Sequence, residues 1–555
     1  MMMKGEHSME LKIKEYDLPQ INTFATDYVN QQVQALQFFH YDPFDKDSYK
    51  RRWRELRERT FARGPLAEVI RAQMARWTLS PAQEEQLQRL QQEESVVVLG
   101  GQQAGLLTGP MYTLYKAVTI LKVARTQEEQ LGVPVVPVFW IAGEDHDFQE
   151  INHVFVPKAK GAGMEKLSLS DPHGQVRQSI DHRPFPRREI LSWLENVFEQ
   201  WPQTEFTEEV RQLVLDTLHK ADTYTAFFAG LMHQLFTQYG LLLVNSADPA
   251  LRRLESSVFE TILTHYDLID GHVRQQIKRM EEQGYTPQIT LGEHPALLFI
   301  YENKERLLLE KKGAQFQTKN GQSVYSEAEL LDLAKNEPWQ FSNNVITRPF
   351  MQESLFPTLT FVAGPGEIAY WALYGTYFEA FNMRLPVIMP RLNLTLVEPN
   401  ICHLLEKHNI DIQTVFGSFE AFREQWLAEQ DELGLEQSFS QVKQEVVRLY
   451  QPLLEKVCRI NKGMEQLGRK NLDKVLEQVD YFHKRAMAAF KTQHEAAIRH
   501  FDKVEQALYP EGRLQERVYY PFHFFNKHGF QLLEVLMQQS FCFNGKHKLV
   551  YLHVE

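Results

Sequence analysis

Short apolar, β-branched runs that stop at glycine recur along this chain. The clearest lies in SVVVLGGQQAGLLTGPMYTLYK, from Ser95 to Lys116. Its unbroken apolar run, bounded by Gly100 and Gly101, predicts a short buried strand. Pro110 suits the first turn of a helix, where a missing N–H costs nothing. MYTLYKAVTILKVARTQEEQL predicts that helix, ending near Gly132, and VPVVPVFWIAG predicts the next strand. Strand, glycine loop, helix and strand make a βαβ unit, right-handed by default. GLLLVNSADP (Gly240–Pro249) and LPVIMPRLNLTLVEP (Leu385–Pro399) predict further strands. The pattern is that of an open α/β sheet.

Other stretches carry other periods. Residues from about 20 to 92 have helical spacing in YVNQQVQALQFF and SYKRRWRELRERTFA, interrupted by Pro65, and read as a helical cap on the core. Residues 155 to about 230 are mixed and polar, with the Pro-rich VRQSIDHRPFPRRE inside, and read as an insertion. Between 280 and 340, alternation and a KNGQ turn predict a small β insertion. From 400 to 508 the chain becomes helical and highly charged. Leu472, Val475, Val479, Phe482 and Ala486 follow alternating steps of three and four. Phe490, Ala497, Phe501, Val504 and Leu508 continue less strictly, which predicts a coiled coil with a register slip. Two such helices joined near Gly434 or Gly468 would form a long antiparallel hairpin; a plain bundle packed on the core is the alternative. A projecting arm favours self-association.

Composition narrows the function classes. With 555 residues the chain holds several domains or one large core with insertions. Hydrophobic residues at 43% and charged residues at 24% are the balance of a soluble globular protein. A net charge of −12 argues against broad binding to nucleic acid or to an anionic membrane. The three cysteines, Cys402, Cys458 and Cys542, are far apart and form no CxxC pair. Neither a thiolate zinc site nor a disulfide framework is expected, which fits a reducing cytoplasm. The start, MMMKGEHSMELKIKEYDLP, lacks the apolar core of a signal peptide. No apolar run is long enough to span a membrane.

The candidate chemistry sits at strand ends. Ligands of open α/β sheets bind beyond the carboxyl ends of the strands. Gly101, Gly105 and Gly109 recur every four residues, but neither G-x-G-x-x-G nor the Walker ending is present. Glycines that admit a ligand to the backbone, followed by a helix N-terminus, still suit an anion or carboxylate. Gln102, Gln103 and Thr108 add neutral hydrogen-bonding groups; a tight structural turn is the bland alternative. The second strand end carries Glu144, Asp145, His146 and Asp147. Like charges this close raise one another's pKa, and a general base for an amine is one use. Asp147 could instead cap a helix starting at Phe148. His146, Glu150 and His153 could share a helix face, but the spacing is not H-E-x-x-H, so no metal is expected. Asn245, Ser246 and Asp248 end another strand. Arg348, Arg384 and Arg391 stand in apolar text, where a guanidinium binds carboxylate or phosphate, or pairs with a core acid such as Glu367. Gly364-Pro365-Gly366-Glu367 reads as a ligand-facing turn, and Tyr370 and Trp371 as core aromatics.

Several of these stretches resemble one family. GGQQAGLLTGPMYTLYKA, PVFWIAGEDHDFQEINHV, RPFMQESLFPTLTFVAGPGEIAYW, PRLNLTLVE and GRLQERVYYPFHFF (Gly512–Phe525) are similar, in the same order, to the bacillithiol biosynthesis cysteine-adding enzymes. The resemblance implies a Rossmann-like parallel-sheet core with two connecting insertions and a long α-helical coiled-coil arm that dimerises. The division it suggests is 1–154 for the N-terminal helices and the first half of the core, and 155–235 for connecting insertion 1. Core at 236–280, connecting insertion 2 at 281–340 and core at 341–399 follow. The arm takes 400–508, and 509–555 returns to the core. It implies a cytoplasmic, homodimeric ligase that joins L-cysteine to the amine of glucosaminyl malate. It also implies a relation to class I aminoacyl-tRNA-synthetase-like cysteine ligases, although this chain has neither their thiolate zinc site nor an H-x-G-H motif. An ADP or ATP site between core and arm is implied too, with Arg513 and Arg517 as candidate contacts. On this reading Asp145, His146 or Asp147 handles the amine proton. The substrates are held by Gly101, Gln102, Gln103, Thr108, Lys116, Asn152, Asn245, Arg348, Glu367 and Arg391. Two rivals are a nucleotide-responsive coiled-coil adaptor with a degenerate ligase-like core, and an adenylating ligase acting on RNA, which the charge disfavours.

Overall fold

The computed structural model of the protein describes residues 9–18, 21–158, 163–171, 174 and 176–554. Part of the N-terminal stretch read for a signal peptide, and residues 159–162, 172, 173 and 175 of the first insertion, lie outside the described residues. The chain divides into two compact units. One comprises Met1–Ala159, Glu165–Leu396 and Gln515–Glu555, the other Lys160–Met164 and Val397–Leu514.

The first unit is built on five parallel strands: β1 (Val96–Gln102), β2 (Val135–Ile141), β3 (Leu242–Asn245), β4 (Thr358–Ala363) and β5 (Val387–Pro390). Their order is β5-β4-β1-β2-β3, and every neighbouring pair is parallel. Every residue of β2 and β4 is buried, as a sheet covered on both faces requires. The order runs outward from β1 to β3, then returns to the other side of β1 with β4. That reversal is the topological switch point of a doubly wound sheet, where such folds bind ligands. Helix α1 (Met111–Leu131) links β1 to β2 and ends at Gly132, whose φ of +70° is the left-handed conformation a glycine cap supplies. A single turn, α2 (Phe148–Ile151), follows β2, and α3 (Pro365–Trp371) follows β4.

Three expectations are amended. The stretch Leu385–Pro399 is two strands in different sheets. After β5 the Arg391 N–H donates to the Ala363 carbonyl and the Leu392 N–H to Thr119 Oγ1, so the chain leaves the central sheet. Asn393–Val397 then joins a three-stranded sheet with Met9–Tyr16 and His547–Val554. Pro65 does not separate helices but lies in the first turn of Arg63–Met74. The β insertion is larger than its turn suggested: an antiparallel sheet of Ala296–Glu302, Glu305–Lys312, Gln315–Thr318, Val324–Ser326 and Phe341–Asn343.

In the second unit, α4 (Leu435–Ile460) and α5 (Met464–Gln493) form an antiparallel hairpin. Glu436 meets His483, Phe439 meets Phe482, and Tyr450 meets Asn471, so the partners run in opposite directions. The joint is neither Gly434 nor Gly468 but Asn461–Gly463, where Asn461 Oδ1 accepts the Gly463 N–H at 2.9 Å. Gly434 precedes α4, and Gly468 lies inside α5, where a Cβ would stand 2.2 Å from Leu454 Cδ2. The expected register slip is a helix break at His494, after which α6 (Glu495–Leu508) begins. Phe501, Val504 and Leu508 of α6 are buried, with Phe419, Phe422 and Trp426 around Phe501. No residue of α4 or α5 is buried, and Leu449 and Phe482 are 68% and 64% exposed. Among the described residues, no helix is long and apolar enough to cross a membrane.

Candidate functional site

A cavity of about 700 Å³ opens at the carboxyl ends of β1, β2 and β4. Its volume is within the roughly 300–1,000 Å³ common for small-molecule sites. Gly101 and Gln102 end β1 at its floor, and Gly364–Glu367 lead β4 into α3 on its far side. Gly101 is needed for the sheet as much as for a ligand: a Cβ there would stand 2.5 Å from the Trp140 carbonyl oxygen on β2.

Lys116, one turn into α1 and buried, reaches back under this floor. Its Nζ donates to the Gly101 carbonyl at 2.7 Å and to Gln102 Oε1 at 3.3 Å, and pairs with Glu367. Burial pushes the Lys116 ammonium below its ordinary pKa, and the Glu367 carboxylate opposes that shift. Glu367 Oε2 also accepts the Gly364 N–H at 2.7 Å, and Tyr370 Oη donates to Oε1 at 3.2 Å. Tyr370 in turn accepts from Arg348, whose guanidinium lies 5.5 Å over the Tyr370 ring. Arg348 Nε is buried without a hydrogen-bond partner. Tyr370 therefore faces the cavity, while only Trp371 is a core aromatic.

A second cationic group stands beside the first. Arg391 is buried and forms a two-pronged pair with Glu516, at 2.9 and 2.7 Å. The guanidinium carbons of Arg391 and Arg517 lie 5.6 and 5.9 Å from the centre of the Tyr112 ring. All three side chains line the cavity.

The loop after β2 supplies the opposite wall. Asp145 Oδ2 accepts from Gln103 Nε2 at 2.7 Å, and Oδ1 accepts the His146 N–H at 2.7 Å. Burial alone would raise the Asp145 carboxyl, but Arg306, Gln103 and the His146 N–H outweigh it and hold the group below its usual range. His146 Nδ1 stands 2.9 Å from Arg306 Nη1. Arg306 comes from the antiparallel insertion. It donates to Ser342 Oγ at 2.9 Å and the Asn343 carbonyl at 2.6 Å, and lies 3.8 Å over the Phe299 ring. Glu144 is buried, pairs with Arg252, and accepts the Asn343 N–H at 3.3 Å. The Asn343 side chain lines the cavity with neither amide atom hydrogen-bonded. Glu150, an exposed residue of the α2 turn whose carboxyl lines the cavity, is raised by partial desolvation, with Gln103 opposing and Asp147 and Asp145 adding to the shift.

Gly101, Gln102, Gln103, Lys116, Asp145, His146, Arg348, Glu367, Arg391 and Arg517 thus share one cavity. Other candidates stand elsewhere. Asp147 caps α2, its Oδ1 accepting from the Gln149 and Glu150 N–H groups. Thr108, at φ +69°, donates to the Leu107 carbonyl and is buried in the turn. Asn152 donates to the Leu169 carbonyl, and Asn245 donates to Asp181 while accepting the Ala247 N–H. Arg513 belongs to the second unit. At the N-terminus of α1 the Met111 N–H is already taken, donating to the Tyr519 carbonyl at 2.8 Å. Tyr112, Glu150 as a base, Arg306 and Asn343 are added to the site by the structure. A helical step of four from Tyr112 to Lys116 was a signal for the first; nothing local marked Arg306, which arrives by tertiary folding.

Arg517, with Arg391 against Tyr112, has the chemistry to hold a phosphate or carboxylate. Among the described residues, no group of three or more His, Cys, Asp or Glu could hold a metal ion.

Comparison with known proteins assigns both halves of the chain. The family described as "Bacillithiol biosynthesis BshC, N-terminal Rossmann-like domain" matches residues 11–392, and "Bacillithiol biosynthesis BshC, C-terminal coiled-coil domain" matches residues 394–552. Relatives named "Putative cysteine ligase BshC" align along their whole length. The one from Geobacillus sp. (strain WCH70) is 38% identical over 546 residues, covering 98% of this chain and 100% of the relative. The one from Bacillus anthracis (strain CDC 684 / NRRL 3495) is 35% identical over 545 residues, with the same coverage.

Proposed function

The chain belongs to the bacillithiol biosynthesis BshC family, and from that premise we propose that the switch-point cavity joins L-cysteine to the amine of glucosaminyl malate through an amide bond. One observation carries the assignment to this cavity. A guanidinium-rich side, with Arg348, Arg391 and Arg517, faces an acidic side, with Asp145 and Glu150, in one space large enough for both substrates. A malate headgroup presents two carboxylates, and Arg348 has a buried Nε directed to no other partner. Arg391 is committed to Glu516, so it acts on a ligand mainly through its charge.

Amide formation needs the sugar nitrogen as a free amine and a base for the proton it sheds. Glu150 suits that role, because its raised carboxyl is a better proton acceptor than an ordinary glutamate. Asp145, held ionised by Gln103 and Arg306, orients an ammonium or hydroxyl rather than accepting a proton. Gln102 and Gln103 fix the floor around the reacting carbon.

ATP or ADP is the proposed nucleotide, with Arg517 of the first unit as a contact. When bound, ATP would supply the leaving group of the cysteine carboxyl. The exposed apolar side chains of the hairpin, among them Leu449 and Phe482, support homodimerisation through the arm. A cytoplasmic location fits a chain with only three cysteines, Cys402, Cys458 and Cys542, far apart in sequence.

Calorimetric titration with glucosaminyl malate tests the assignment of the cavity. Wild-type protein should bind, and Arg348→Met should bind roughly ten to a hundred times more weakly, the worth of one hydrogen bond to a charged group. Equal affinity in both proteins would remove Arg348 from the site, and no binding in either would overturn the assignment.

A further inference from the structure

We infer that Arg306 is a positioning residue that fixes His146 as the neutral Nε2–H tautomer, so that His146 serves the reaction as a hydrogen-bond donor and not as its base. The inference rests on the ligase reading of the same cavity. A guanidinium has five N–H donors and no acceptor. Arg306 Nη1 stands 2.9 Å from His146 Nδ1, so Nδ1 must be the acceptor and the ring proton must reside on Nε2.

The geometry leaves Arg306 little freedom to do otherwise. It is buried, its Nε is held by Ser342 Oγ and its Nη2 by the Asn343 carbonyl, and its plane lies on Phe299. No carboxylate among the described residues forms a salt bridge with it, although Asp145 lies within its electrostatic reach. His146 packs on the same Phe299 ring, with centroids 5.7 Å apart. The charged groups facing His146 are Arg306 and Arg177, which oppose its protonation, and Asp145 and Asp147, which favour it. Asp145 Oδ1 is 3.7 Å from Nδ1, too far to compete for that nitrogen. Burial and Arg306 together keep the ring neutral below its ordinary range.

His146 lines the cavity, and its Nε2–H makes no hydrogen bond within the described residues. A neutral imidazole N–H lining the cavity suits the carbonyl oxygen of the cysteine carboxyl, where negative charge develops as the amine adds. A donor there needs no proton transfer of its own. The base is left to Glu150, which explains why one loop carries both groups. The antiparallel insertion thereby acquires a role in the chemistry, because it delivers Arg306.

Two readouts test this. ¹⁵N-imidazole NMR, with His146 identified by difference from His146→Gln, should show a neutral ring protonated on Nε2 at pH 7 and above. In Arg306→Met the ring's pKa should rise toward its ordinary value, by less than the full shift because burial and Arg177 still oppose its charge. The rate of amide formation should then gain an acid limb from the ring, in addition to the Glu150 limb that wild type shows. His146→Gln, which can place an amide N–H near the Nε2 position, should retain at least tenfold more activity than His146→Ala. A wild-type ring protonated on Nδ1, or charged at pH 7, overturns the inference. So does equal activity in the Gln and Ala variants. If no ligation is found at all, the ligase reading fails, while the NMR result still decides the tautomer.

Discussion

Lys116 and Glu367 form an ion pair that spans the switch point, linking the helix after β1 to the helix after β4. Lys116 also holds the Gly101 carbonyl at the end of β1, so one ammonium ties both sides of the cavity floor. Burial opposes its charge and Glu367 offsets part of that effect. Lys116→Met should therefore cost about 3 kcal/mol, because an acid is left without its partner in a largely buried place. Glu367→Gln should cost a similar amount, and the double variant less than the two together. Urea unfolding of the four proteins measures this; strict additivity would show that the pair does not couple.

Gly101 gives a purely steric prediction. A Cβ would approach the Trp140 carbonyl carbon, oxygen and Cβ within 3.3 Å, and these are mostly backbone atoms that cannot swing aside. Gly101→Ala should lose about 1–3 kcal/mol of stability. Gly366→Ala, with no atom within 4 Å of the added carbon, should lose far less. Thermal unfolding of the two variants separates the outcomes, and equal stability would show that β1 and β2 can part.

Glu150→Gln keeps the shape of the side chain and removes the base. The expected result is a kcat about 10²–10⁴ lower with little change in KM for either substrate. In wild type the acid must ionise before it can accept the proton, and burial raises its pKa. Activity should thus climb with pH through a midpoint above that of an ordinary glutamate, and this limb should vanish in the variant. A normal kcat in Glu150→Gln would hand the role to another group.

His547 lies in the three-stranded sheet, with Nε2 2.9 Å from Thr395 Oγ1. Burial, aided by Arg391 and Lys548 and opposed by Glu516, pushes its pKa down to about 4. An unfolded histidine titrates near 6.5. Between these values the unfolded chain binds a proton that the fold refuses, so the stabilisation is complete above about pH 6.5 and lost as pH falls through 4. Roughly 3 kcal/mol should disappear across that window. His547→Gln should show a shallower fall in stability from pH 6.5 to 4, measured by urea unfolding at each pH; an identical slope would assign the acid sensitivity elsewhere.

Much of the central sheet was legible because buried parallel strands are continuous apolar runs, and β1, α1 and β2 announce themselves in that way. The division at Arg391 was not, because both flanking strands are apolar and only tertiary hydrogen bonds turn the chain out of the sheet. The hairpin joint was misplaced for a related reason. Glycine marked the search, yet Gly468 serves close packing against Leu454, and Asn461 makes the turn. At the site, the two glycine loops pointed to the right sheet edge. They gave the neighbours β1 and β2, while the crevice also needs β4. Asp147 resolved to its capping role, and Arg306 was invisible because it comes from an insertion about 160 residues away in sequence from the histidine it touches.

The most direct measurement is mass-spectrometric detection of product from purified protein given L-cysteine and glucosaminyl malate, with and without ATP, in wild type and Glu150→Gln. Wild-type protein should form the amide product and the variant should lose it, with substrate binding retained in both. Wild-type protein that binds both substrates yet forms no amide under either condition would contradict the ligase assignment.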